Sequence, residues 1–199
     1  MKPVQRNEIL GLAEYESIRD PFRTRVIAEK KLRRIALGPQ ASCVFESHDT
    51  ALMQIQEMLR TERITREAAI AHEIETYNQL VPGDHELSAT VLIEVDDKSE
   101  RETFLFEAKG LDRAFSIVVD GATCPGKHDE AREQPDRTTA VHYLKFPLVP
   151  AAEAALRAVL GKQRKPEDVV VELVVEHPRY SARATLPAAL VLSLAEDLA

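Results

Sequence analysis

From Glu86 to Val95 every second side chain is apolar (Leu87, Ala89, Val91, Ile93 and Val95), which predicts a strand with one face buried. The same period recurs at Phe115, Ile117 and Val119, at Val169, Val171, Leu173 and Val175, and at Tyr180, Ala182, Ala184 and Leu186. Asp120-Gly121 favours a two-residue hairpin turn, and His177-Pro178 separates two strands that read as a second hairpin. Short strands are expected from Ile35 to Leu37 and from Ser42 to Ser47, on either side of the turn signal Gly38-Pro39. A further strand runs from Thr138 to Phe146.

Elsewhere the apolar spacing is helical. One helix is expected from Asn7 to Ile18 with Asn7 as its N-cap. Asp20-Pro21 reads as the start of a second that runs to about Arg34. Leu52, Ile55 and Leu59 mark a helix that leaves the polar cluster Glu46-Ser47-His48-Asp49, and Ile70, Ile74 and Tyr77 mark another from Thr65 to about Leu80. Ser99-Glu100-Arg101-Glu102 has the form of a capping box, opening a helix that closes at Gly110. Two more helices run from Pro150 to Leu160 and onward from Pro187. With seven or eight short strands and about seven helices, the expectation is an α+β fold around a largely antiparallel mixed sheet. The chain reads as a single domain, 1–199, with a helical segment at about 7–34 packed on the α+β body.

Composition narrows the function classes. Hydrophobic residues make up 44% and charged ones 30%, enough for a packed core. The net charge of −7 repels a polyanion and so argues against nucleic acid as a partner. Arg23, Arg25, Lys30, Lys31, Arg33 and Arg34 form a basic run that reads either as a solvated helix face or as a docking patch for an anion or partner. The start MKPVQRNE lacks the apolar stretch of a signal peptide, no apolar run reaches membrane-spanning length, and two cysteines make no disulfide framework. A cytoplasmic location is therefore expected. There is no GxGxxG, GxxxxGK, HExxH, CxxC or GxSxG, so kinase, dehydrogenase and serine-hydrolase readings lose their main support. No nucleotide or flavin signature appears.

His142 is the most informative single residue. It falls in the row Thr138, Ala140, His142, Leu144 and Phe146, and so points the way the core points. Such an imidazole is either a core histidine held by a carboxylate or backbone group, or a ligand or general base beneath the charged loop from Pro125 to Asp136. A candidate ligand-binding site gathers Glu46, Gln54, Glu57, Arg60, Arg137 and His142, with Arg137 holding an anionic group. Glu46, His48, Asp49 and Glu57 are metal candidates of mixed nitrogen and oxygen type, suited to Mn, Fe or Zn, at a spacing that matches no established motif. Cys43 and Cys124 read as a reversible thiol pair or, more commonly for isolated cysteines, as small buried hydrophobes.

Four blocks, FESHDTALMQIQEMLRTERI, YNQLVPGDHELSATVLIEV, DRTTAVHYLKFPL and EHPRYSARATLP, resemble in order and spacing a bacterial family of proteins of unknown function, family 3501. The resemblance spans nearly the whole chain from Asn7 onward. It carries over no catalytic residue. It implies an accessory role beside a rubrerythrin-like or iron–sulfur redox partner, because members are often encoded near such genes. Two classes of function follow. One is an accessory or binding protein without catalysis of its own; the other is a metal- or small-ligand-binding enzyme with a polar site around Glu46, Glu57 and His142.

Overall fold

Two ladders of strands, antiparallel throughout, share one apolar core in the computed structural model, which describes residues 1–128, 134 and 136–199. The first sheet runs in the order β1 (Arg34–Ala36), β2 (Ala41–Phe45), β3 (Glu86–Ile93), β7 (Val141–Pro147), β6 (Lys127–His128). The second runs β5 (Ala122–Pro125), β4 (Phe115–Val119), β8 (Val171–His177), β9 (Tyr180–Thr185). Six α-helices accompany them among the described residues: α1 (Leu12–Leu32), α2 (His48–Thr61), α3 (Glu67–Asn78), α4 (Lys98–Glu107), α5 (Pro150–Leu160) and α6 (Ala188–Glu196). The α+β class expected from the periodicity is observed. One mixed sheet becomes two antiparallel ones, because alternation tells which side chains are buried and not which ladder a strand joins.

Inward side chains of the first sheet, among them Phe45, Leu87, Val91 and Phe146, meet Phe115, Ile117, Leu173 and Val175 of the second. Phe104 and Leu105 of α4, Leu156 of α5 and Leu190 and Leu194 of α6 complete that core. A smaller cluster of Val4, Ile9, Ile55, Leu59, Ile70 and Val81 joins α2 and α3 to the N-terminal segment.

The two expected N-terminal helices are one. Pro21 lies inside α1, which runs unbroken past the anticipated boundary. An interior proline removes one backbone bond, costing about 3 kcal/mol. Side-chain bonds to α2 offset this: Arg19 Nε and Tyr15 Oη donate to Glu57 Oε1, each at 2.8 Å, and Arg60 Nε donates to Glu16 Oε2 at 2.6 Å. Part of the basic run is held in ion pairs or buried. Arg25 is paired with Asp49 and Arg34 with Glu94, while Arg33 is 2% exposed. Its guanidinium donates to the Phe45 and Glu46 carbonyls, to Ser193 and to Asp197, which ties α6 to the end of α1. At the start of α4 the N-cap is Asp97 rather than Ser99, its side chain accepting from the Glu100 amide, so the helix begins two residues earlier than the capping-box pattern implied.

The chain crosses from the second sheet back to the first at Gly126, between β5 and β6. Its amide donates to the Phe115 carbonyl at 2.9 Å, and a Cβ there would lie 3.0 Å from the Phe146 ring and 3.1 Å from that carbonyl. Only glycine fits without displacing backbone. The crossing delivers His128 to the edge of the first sheet, beside β7.

Candidate functional site

The first sheet separates the residues that the sequence grouped together. Register pairs Cys43 with Val91 and Val91 with His142, so these three form one row across adjacent strands, facing the core. Thr90 points to the opposite face, because neighbours on a strand alternate. There its hydroxyl donates to Glu46 Oε1 at 2.6 Å, and the Thr50 hydroxyl donates to Glu46 Oε2 at 2.6 Å. Glu46 and His142 therefore occupy opposite faces of one sheet and share no pocket.

The α2 candidates are engaged with α1. Glu57 receives bonds from Tyr15 and from Arg19, and the Arg19 guanidinium holds its carboxyl below the usual range. Arg60 is paired with Glu16, and Gln54 is half-buried on the same helix. His48 lies 3.0 Å from Glu8 and 3.3 Å from Asp49, and Asp49 pairs with Arg25. No group of three or more His, Cys, Asp or Glu is positioned to hold a metal among the described residues. Cys43 and Cys124 are both buried with free thiols, and burial pushes both thiols up.

Arg137 and His142, in contrast, do converge. Both line a cavity of about 370 Å³ together with Lys109, Asp112, His128 and Thr139. Local structure explains each placement. Gly110 adopts a left-handed backbone, φ 84°, and so turns the chain after α4 into a short 3-10 segment, Leu111–Arg113, that presents Asp112. The segment before β7 is anchored by the Thr138 amide on the Leu105 carbonyl at 2.9 Å and the Ile93 amide on the Ala140 carbonyl at 2.8 Å. Arg137 is steadied by Glu102 of α4 and by its Nε bond to Gln134 Oε1 at 3.0 Å. His128 Nε2 stands 3.3 Å from Asp112 Oδ2. Of the expected charged loop, residues 129–133 and 135 lie outside the described residues.

His142 is 4% exposed, and its ring sits 5.9 Å from that of Phe115. Burial pushes its pKa down from 6.5 to about 4; the Asp112 charge works upward, His128 downward, and a hydrogen bond to the Thr139 backbone upward. Nε2 has no hydrogen-bond partner among the described residues. At neutral pH His142 is thus an uncharged imidazole whose Nε2 is buried and unengaged, open to a hydrogen bond.

Asp112, His128 and Lys109 went unread in the sequence. Their one advance signal was the density of charge in the segments bordering β4 and β7, which fixes no partner. Among the described residues no helix is long and apolar enough to cross a membrane.

No curated protein matches the chain. Among solved structures it is similar to a novel protein of unknown function from Burkholderia pseudomallei K96243, with 32% identity, a TM-score of 0.89 and full coverage of both chains. Neither that protein's description nor the family's names a ligand or partner. The sequence model of the proteins of unknown function DUF3501 matches residues 3–198, and the chain belongs to that family.

Proposed function

We propose that this protein binds a small polar molecule in the cavity walled by His142, His128, Asp112 and Arg137. One observation carries the reading: a buried imidazole nitrogen without a partner among the described residues, on a residue that lines a polar cavity. Leaving such a group unsatisfied costs about 1–3 kcal/mol, and folded proteins tolerate the cost mainly where a ligand or water supplies the missing bond. The cavity lies at the lower end of the size range of small-molecule sites. Arg137 and His142, expected to act together, both belong to it. The accessory redox role implied by the family resemblance is a separate expectation, and co-purification of a rubrerythrin-like or iron–sulfur protein would be its own test.

The test of the binding reading is an amide NMR titration of the full chain with a panel of small carboxylates, phosphates, polyols and amines. At least one class should produce saturable shifts confined to Gly110, Asp112, Thr139 and His142. If every compound leaves those resonances in place, or shifts are scattered over the surface, the cavity is not a binding site.

A further inference from the structure

We infer that β9 is an interface for a second copy of this chain. Its open edge pairs antiparallel with the same edge of that copy and joins two four-stranded sheets into one. The inference is independent of the cavity.

Register shows which backbone groups are open. β9 pairs only with β8, and just beyond their ladder the Leu186 amide donates to the Val171 carbonyl at 2.8 Å. Backbone groups alternate sides along a strand. Those of Tyr180, Ala182 and Ala184 therefore face β8, as Leu186 does, and those of Ser181, Arg183 and Thr185 face away. Within the described residues no hydrogen bond reaches the outward set.

Edge strands are commonly kept short, bulged, or guarded by proline or lysine against such pairing. Among the described residues β1 has three residues, β6 has two, and β5 has four that end on Pro125. β9 has six, YSARAT, with no proline, no lysine and no bulge in its register. Ser181, Arg183 and Thr185 are all exposed. The undescribed residues follow His128 at one edge of the first sheet, whereas the Tyr180 hydroxyl ties β9 to Leu37 and Gln40 beside β1, at the other edge.

Charge selects the partner and the register. Two registers about a two-fold axis set open groups against open groups, one centred on Arg183 and one on Ala182. The first puts Arg183 opposite Arg183 of the second copy, and like charges directly opposite are destabilising. The second puts Arg183 opposite Ser181 of the second copy, and Ser181 lies opposite Glu176 on β8. Glu176 is exposed and has no ion pair among the described residues. The long Arg183 side chain reaches over the small serine to that carboxylate, twice by symmetry, while Nη1 stays on Glu172 of its own chain at 2.8 Å. At the axis Ala182 meets Ala182, so nothing bulky intervenes. An arbitrary peptide strand would bring no Glu176 behind it and would forgo both ion pairs. The contact is short, so the dimer forms reversibly.

Sedimentation velocity on the full chain from about 5 μM to about 500 μM is the test, and the weight-average mass should rise toward that of a dimer. Arg183→Glu should weaken association about tenfold through the two lost ion pairs, and adding Glu176→Arg should restore it, because the charges have exchanged places. Ser181→Pro removes an outward amide, leaves the β8 ladder intact and should abolish the dimer. The unaltered protein and the charge exchange decide the matter even if the proline variant fails to fold. A monomer at every concentration overturns the inference, whether the edge then takes another peptide or none. A dimer indifferent to Ser181→Pro and Arg183→Glu uses a different surface and overturns it as well. Loss on Arg183→Glu without rescue overturns the pairing centred on Ala182.

Discussion

His128 Nε2 and Asp112 Oδ2 lie 3.3 Å apart, and this contact joins the edge strand of the first sheet to the turn that feeds the second. Both side chains are about 15% exposed, and both act electrostatically on His142. The Asp112 charge pulls the His142 pKa upward against burial. Asp112→Asn should therefore move the His142 titration below about 4, read from ring proton shifts across an acid series. An unchanged or higher midpoint would separate Asp112 from the His142 environment.

Acid should destabilise the protein through His142. The folded pKa, about 4, lies below the unfolded value of 6.5, so between them the unfolded chain binds more protons. The stability is fully present above pH 6.5 and is lost as pH falls toward 4. Between pH 7 and pH 5 this amounts to about 2 kcal/mol. Urea unfolding at both pH values should show the native protein losing about that much more than His142→Phe. Equal losses would mean that His142 does not stay neutral in the fold.

The Arg33–Asp197 pair gives a structural prediction independent of the cavity. Both side chains are under 5% exposed. Arg33→Met strands a buried carboxylate and should cost about 3–5 kcal/mol in denaturant unfolding. Adding Asp197→Leu should recover most of that loss, because a buried ion pair replaced by apolar groups is often neutral. No recovery would place the contribution in the Arg33 bonds to the Phe45 and Glu46 carbonyls instead.

Thr90→Val removes one of the two hydroxyl donors on Glu46 and should cost about 1.5–3 kcal/mol, the range for a bond to a charged group. The His142 ring titration should be unchanged, since Thr90 and His142 face opposite ways. A shifted His142 midpoint would contradict the division of the sheet into two chemically separate faces.

What the chain reveals before folding is bounded by the range of the signals. Alternation at Leu87 to Val95 fixed which face is buried, and it placed His142 inward correctly. It said nothing of the ladder partners, so one sheet was expected where two occur. Pro21 read as a helix start because propensity is local, while the bonds that tie α1 to Glu57 and Arg60 of α2 span 38 to 44 positions. Glu46 and His142 looked like neighbours because each is polar chemistry at a strand. A face assignment relative to Thr90 was needed to part them. Asp112 and His128 meet only through the Gly110 turn and the crossing at Gly126, which no periodicity encodes.

Nitrogen-15 NMR of the imidazole rings at pH 7 tests the central claim most directly. His142 should be neutral, with an Nε2 shift that shows no hydrogen bond and that moves toward a hydrogen-bonded value when a compound fills the cavity. An imidazolium, or an Nε2 already bonded in the unliganded protein, would contradict it.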